Sequence, residues 1–423
     1  MTRAPEQPLD PFGWCVALAL GFWLLILWNL AVPSGPYFDE VHYVPAAREL
    51  LMLEQFNNRE HPLFGKEMIA LGITVLGDNS WGWRIFPSLA GMLALFASMR
   101  AVWFATVSRF ATITSGILLA TGFHLFVHSR IAMLDIFMIA ALATAFWQLA
   151  GAMREPETGR WRLALAGIAL GLALASKWNA VPVAMVPGLA FLALRWKAGR
   201  RRLVLSRRGM PVPGITLAEA FLWLGLVPLA VYWLTFWPGY LFGVNGIENG
   251  IFAHHRLMLD LQTQVLTMHP YESTWPEWML NLRAIWYLYE EVDQAQRGVM
   301  LVGNPLTMLL GVPAVVWCAL RGLMHRQPAH GAIALLYAVS LGLWLFAQKS
   351  TQFYYHYFLP SSFLLVALAL SLDDLWKAGW RKLAVAVPAA SVLLFAFFYP
   401  ILAADPLEGP DSFAVWTWIE SWR

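Results

Sequence analysis

The stretch Pro33-Ser34-Gly35-Pro36-Tyr37-Phe38-Asp39-Glu40-Val41-His42-Tyr43 follows an apolar run over residues 12–32 that is long enough to cross a bilayer. Pro and Gly break that first helix and prepare a new start, so a second helix is expected over about residues 40–56 with Asp39 at its N-cap. Positions 39, 42, 43 and 46 then share one face. An ordinary N-cap with a solvated Glu beside it is the plain alternative. The residues that follow argue for more: Arg48, Arg59, Glu60, His61, Lys66 and Glu67 gather ionisable groups in a chain that is only 13% charged.

Working outward, the 423 residues are 59% hydrophobic, whereas soluble proteins are about one quarter charged. This composition belongs to a polytopic membrane protein. Apolar runs near 12–32, 81–103, 110–127, 132–152, 162–176, 180–196, 217–237, 299–320, 331–347, 355–371 and 383–402 suggest about eleven transmembrane helices in an all-α fold. Lys177, Pro182 and Pro187 interrupt the fifth and sixth. The whole chain reads as one membrane-embedded domain. It has a first loop at 33–80, a basic loop at 195–216, a long loop at 238–298 and a four-helix region at 299–402. Arg195 to Arg208 holds seven Lys or Arg residues, which places that loop in the cytoplasm by the positive-inside rule. The N-terminus is then cytoplasmic as well. The first loop, the 238–298 loop and the Trp-rich Asp405–Arg423 segment fall on the outer face of the cell membrane. Residues 39–56 and 60–77 read as interfacial helices. Aromatic residues crowd the long loop, as an interfacial belt would. Cys15 and Cys318 both lie in apolar runs, so no disulfide framework is expected.

Charges at a membrane edge are costly and point to function. Arg84 opens the second span, Arg130 and Asp135 flank the start of the fourth, and Lys177 separates the fifth from the sixth. All lie on the same side as Asp39. An Arg130–Asp135 ion pair and a snorkelling Lys177 are the structural alternatives. Together with Lys66, these cations suggest an anion held at the membrane surface, with a lipid-linked phosphate the natural candidate. His42, His61, His254, His255 and His269 lack metal-ligand spacing, so structural or hydrogen-bonding roles are expected and no metal centre. No nucleotide-binding loop or serine triad is visible, and no cofactor is implied.

These residues carry a resemblance. Phe38-Asp39-Glu40-Val41-His42 resembles the Asp-Glu motif of the protein O-mannosyltransferase family in its bacterial branch. His61-Pro62-Leu63-Phe64-Gly65-Lys66 resembles its His-Pro-Pro-Leu-Gly-Lys motif, with Leu63 in place of the second Pro and Phe64 in place of Leu. Arg84 to Gly91, Ser129-Arg130 to Asp135, Ser176-Lys177-Trp178, His269 to Ser273 and Gly303-Asn304-Pro305 are similar to further family segments in the same order. The resemblance implies a helical GT-C-type core with active-site loops on the outer face. It implies transfer of mannose from a polyprenyl-phosphate carrier to a protein Ser or Thr hydroxyl, with inversion, and no nucleic-acid partner. Asp39 is expected to be the general base, with Glu40 orienting the acceptor or pairing with Arg84. His61, Lys66, Arg84, Arg130, Asp135, Lys177, Trp178 and His269 are expected to line the substrate site. A lipid-carrier glycosyltransferase with a lipid acceptor, and a transporter, are the alternatives from other classes. A transporter would favour polar residues at mid-membrane and inverted repeats.

Overall fold

The computed structural model describes residues 8–198, 203–264, 269–347, 349 and 351–423. Arg200, Arg201 and Arg202 of the basic loop lie outside the described residues. A helix coincides with each of the eleven expected spans. Eight of the described helices are long and apolar enough to cross a membrane. The Phe12–Leu27 and Arg109–Ala120 helices are shorter, and Gly159–Ser176 carries Arg160 and Arg162 in its first turn. Eleven crossings therefore remain an expectation.

The Ser80–Thr106 helix is the central post. Asn79 caps it, its side-chain oxygen accepting the N–H groups of Trp81 and Gly82. The post packs along Asp135–Arg154, which in turn packs along Gly159–Ser176. Four helices, Pro305–Met324, Pro328–Phe346, Tyr354–Lys377 and Arg381–Leu402, follow the 238–304 segment. Lipid tails are as apolar as Leu, so helix association in a bilayer relies on close packing at small residues. Two contacts show this. A Cβ on Gly72 would stand 2.1 Å from the Gly82 carbonyl oxygen, so the Phe64–Leu76 helix lies backbone to backbone on the post. A Cβ on Gly91 would stand 1.9 Å from the Ser129 hydroxyl, which seats the segment before Asp135 on the same post.

The fold departs from a purely helical one in the long loop. Residues Ile285–Val292 and Ala295–Leu301 form an antiparallel hairpin with a bulge between Trp286 and Leu288. Asp293 and Gln294 make its two-residue turn with φ of 51° and 62°, as a type I′ connection requires. The C-terminal segment docks on this hairpin through Leu407 N–H on the Gln296 carbonyl, Tyr289 Oη on the Pro410 carbonyl and Trp286 Nε1 on the Trp422 carbonyl. The expected aromatic belt is thus partly a protein core. Tyr287 and Trp278 are buried, and Trp278 donates to the Ser273 hydroxyl.

Candidate active site

The loop after the first helix is held from beneath. Arg84 is 0% exposed, and all five of its N–H donors are used. Nε and Nη2 each bond a Glu40 oxygen at 2.8 Å, and the others reach the carbonyls of Leu30, Pro33 and Gly35. Glu40 has no exposed surface either. Besides Arg84 it accepts the N–H groups of Ala132 at 2.8 Å and Tyr37 at 3.3 Å. Arg130 donates to the carbonyls of Ile26, Trp28, Asn29 and Ala403. Lys66 donates to the carbonyls of Asn58 and His61 at 2.6 and 2.9 Å, folding the 58–66 loop onto itself. Burial brings the Lys66 ammonium down to about 7.

These contacts choose among the expected roles. Glu40 takes the expected pairing with Arg84, and its lone pairs are occupied. Arg84, Arg130 and Lys66 donate to the protein's own oxygens, a use that the expected anion site did not foresee. Such groups must be bonded when buried. Bonding them is how a charged side chain becomes part of the frame.

Above that layer stands a second set. Asp135 opens its helix and pairs with Lys177 at 2.6 Å, not with Arg130. The Asp135 Oδ1 atom is buried and has no partner among the described residues. Lys177 sits where the Gly159–Ser176 helix ends, in extended conformation with φ −158° and ψ 138°. Its ammonium lies 5.0 Å from the Tyr355 ring centre.

Asp39 occupies the N-cap position of the Glu40–Met52 helix, four residues shorter than expected, yet its side chain makes no capping bond. Among the described residues its carboxylate accepts no hydrogen bond. It is half-buried. Burial pushes its carboxyl above the ordinary value, with Asp135 adding to the rise and Lys177, His42 and Lys349 opposing it. The backbone that aims it is unusual. Phe38 has φ 48°, in the left-handed region that bulky residues rarely enter. Its ring stacks on Tyr287 of the hairpin at 3.8 Å and meets Tyr355 edge-on at 5.9 Å. Tyr287 is itself bonded to His128 at 3.2 Å. At the hairpin tip Asp293 accepts the N–H and hydroxyl of Ser34 at 2.8 and 2.5 Å.

His61 stands beside Tyr43, ring centres 5.9 Å apart, and its Nδ1 is buried with no partner among the described residues. Burial first, then Lys177, Lys349, Lys66 and His42, hold it neutral. Lys349 was not among the expected residues. It follows the Pro328–Phe346 helix, 3.4 Å from His356 Nε2. Burial and Lys177 bring it down to about 8, against the opposite pull of Asp39 and Asp135. The membrane-edge criterion that singled out Lys177 applies equally to Lys349. The expected Trp178 and His269 each meet an aromatic neighbour. Trp178 donates to Tyr232, whose hydroxyl meets His255 at 2.6 Å, tying the Gly250–Gln262 helix to the bundle. His269 contacts Phe353 edge-on at 5.1 Å. Asp39, His42, His61, Asp135, Lys177 and Lys349 thus influence one another at one end of the bundle. A carboxylate without a bond beside two ammonium groups can take a proton from a hydroxyl and hold a developing anion.

The chain is similar to proteins of one family. Residues 74–241 match the family model for dolichyl-phosphate-mannose-protein mannosyltransferase, and residues 248–422 match the model for the C-terminal four-transmembrane region of protein O-mannosyltransferase. Similar curated proteins include polyprenol-phosphate-mannose--protein mannosyltransferases of Mycolicibacterium smegmatis and Mycobacterium tuberculosis. The first is 27% identical, with 93% of this chain and 90% of that protein aligned. The second is 28% identical, with 98% and 93% aligned. In fold, the chain matches the Saccharomyces cerevisiae protein O-mannosyltransferase Pmt1-Pmt2 complex bound to the sugar donor, with a TM-score of 0.82 at 15% identity over 99% of this chain and 93% of that one. It also matches Cupriavidus metallidurans ArnT bound to undecaprenyl phosphate, with a TM-score of 0.58 at 17% identity over 90% and 64%. With two models of one family accounting for nearly everything after residue 73, the chain belongs to the protein O-mannosyltransferase family of membrane glycosyltransferases.

Proposed function

We propose that the protein transfers a mannosyl residue from a polyprenyl-phosphate carrier to a Ser or Thr hydroxyl of a protein acceptor, with inversion, and that Asp39 is the general base. The observation that carries the reading is the Asp39 carboxylate, half-buried and free of hydrogen bonds, within the field of Lys177, Asp135 and Lys349. The acceptor oxygen attacks the anomeric carbon while its proton passes to an Asp39 oxygen. The bond from that carbon to the phosphate oxygen breaks, and its electron pair leaves with the phosphate. Lys177 and Lys349 supply the positive charge that the phosphate needs as it departs. Asp135 keeps Lys177 in place. A phosphate leaving group held by cations requires no general acid. The matched relatives are named for a polyprenol-phosphate-mannose donor and a protein acceptor, which favours the same substrates here. The site would face away from the cytoplasm, opposite the basic 195–208 loop, in the inner or plasma membrane.

The test uses purified protein with mannosyl-phosphopolyprenol and Ser/Thr peptides. Asp39→Asn keeps shape and most hydrogen bonding but removes basicity, so turnover should fall by about two to four orders of magnitude. Donor affinity should stay near that of the wild type. Wild-type turnover by a folded Asp39→Asn protein would refute the base assignment. Transfer to lipid acceptors but not to peptides would refute the acceptor assignment and leave the base intact.

A further inference from the structure

A separate polar cavity of about 290 Å³ lies between Arg59 and the start of the Gly250–Gln262 helix. It is lined by Arg59, Gly246, Glu248, Asn249, Gly250 and His254, among others. Three observations describe it. Asn249 stands at the N-cap but makes no side-chain cap bond, so the first-turn N–H groups have no side-chain acceptor. A helix start with open N–H groups attracts an anion. His254, on the same helix, is 5% exposed, and its Nε2 has no partner among the described residues. An unbonded buried nitrogen is costly unless a ligand meets it. Arg59 and Glu248 line the cavity with opposite charges, yet among the described residues their side chains form neither an ion pair with each other nor a hydrogen bond to another residue.

The surroundings say what kind of molecule reaches the cavity. In the chain segments that carry the cavity, Trp237 is 66% exposed and Phe252 82%, and Tyr240, Leu241 and Val244 are also exposed. Exposed apolar side chains in such number suit a membrane contact. Trp and Tyr gather at the level of lipid headgroups. Phe252, Arg256 and Leu259 lie on the exposed face of the Gly250–Gln262 helix, the pattern of a helix lying in the interface.

We propose that this cavity binds the headgroup of a phospholipid that carries both a phosphate and a primary ammonium. The phosphate would sit on Arg59, the His254 ring and the free N–H groups at the helix start. The ammonium, two carbons away, would reach Glu248. The unpaired opposite charges on one small cavity suit a dipolar headgroup better than a simple anion. The proposal stands apart from the mannosyl-transfer reading, because no residue of the Asp39 cluster takes part.

Native mass spectrometry of the purified full chain tests it, with phosphatidylethanolamine, phosphatidylglycerol, inorganic phosphate and an acidic peptide offered in turn. The wild type should retain one phosphatidylethanolamine in preference to phosphatidylglycerol. Arg59→Gln should lower that retention about tenfold, the loss expected for one charge-assisted hydrogen bond. Glu248→Gln should abolish the preference while leaving phosphatidylglycerol binding unchanged. Neither side chain has a partner to lose, so both variants should melt as the wild type does, and the Glu248→Gln arm stands alone should Arg59→Gln misfold. Equal retention of the two lipids by the wild type would overturn the proposal. So would unchanged retention in a folded Arg59→Gln protein, or binding of phosphate or acidic peptide where no lipid is held.

Discussion

At the scale of single residues, the site turns on how burial moves two opposite charges toward each other. Burial raises Asp39 above the ordinary carboxylate value of about 4 and lowers Lys349 from its ordinary range of about 10 to about 8. A general base works only when deprotonated, so the rate should fall as pH drops through the raised Asp39 value. A phosphate-holding lysine works only when protonated, so the rate should also fall as pH climbs through about 8. The pH dependence of turnover is therefore expected to be bell-shaped, with its acid limb above the usual carboxylate range. Lys349→Arg should move the alkaline limb beyond the measurable range, because a guanidinium does not deprotonate there. Lys349→Gln should remove that limb and lower turnover by about tenfold to a thousandfold, as loss of one electrostatic stabiliser does. An alkaline limb that persists near 8 in Lys349→Arg would assign it to another group.

At the scale of elements, the hairpin is the support for Asp39. Its tip bonds Ser34, and its Tyr287 stacks on Phe38, whose left-handed backbone turns the next residue toward Lys177. Asp293→Asn keeps a residue that tolerates the left-handed turn backbone and weakens both tip bonds at an exposed position, so stability should change by about 1 kcal/mol or less. Turnover should nevertheless fall several-fold, because a displacement of about 1 Å at a reacting group is costly. Donor affinity should hardly change. The informative measurement is this split between melting temperature, donor affinity and turnover. A purely structural hairpin would lower the melting temperature and leave the turnover of the folded fraction intact.

For the whole molecule, the Glu40–Arg84 pair binds together the end of the first helix, the loop before Asp39, the central post and the segment before Asp135. Glu40→Gln leaves a buried guanidinium without its counter-charge, which should cost about 3–5 kcal/mol. The thermal melt should fall accordingly, and Arg84→Gln should have the same effect. If Glu40 instead handled the acceptor, Glu40→Gln would melt normally and fail in turnover. The positive-inside rule predicts an orientation for the bundle that labelling can test. Single cysteines introduced in the 238–264 segment should be labelled by an impermeant reagent in intact cells, and cysteines at 203–208 should not. The reverse pattern would put Asp39 on the cytoplasmic face.

The amino-acid sequence by itself determined where the helices run, because a run of about 20 apolar residues has few alternatives in water or lipid. It also singled out Asp39, Asp135 and Lys177 as candidates, since a charge at a membrane edge must be compensated. The order of the motifs carried the family. Which cations stay free was decided only by the tertiary structure. Arg84 meets Glu40 across 44 positions, Lys177 meets Asp135 across 42, and Arg130 reaches a carbonyl across 273. Local pattern cannot tell which oxygen a buried donor will find at such separations, so Lys66, Arg84 and Arg130 looked no different from Lys177. The hairpin escaped for a related reason. Its strands are short and rich in aromatic residues, and the same composition suits a membrane interface until a docked C-terminal segment covers it. Lys349 and Asp39 influence each other across about 300 positions, a meeting that packing alone arranges.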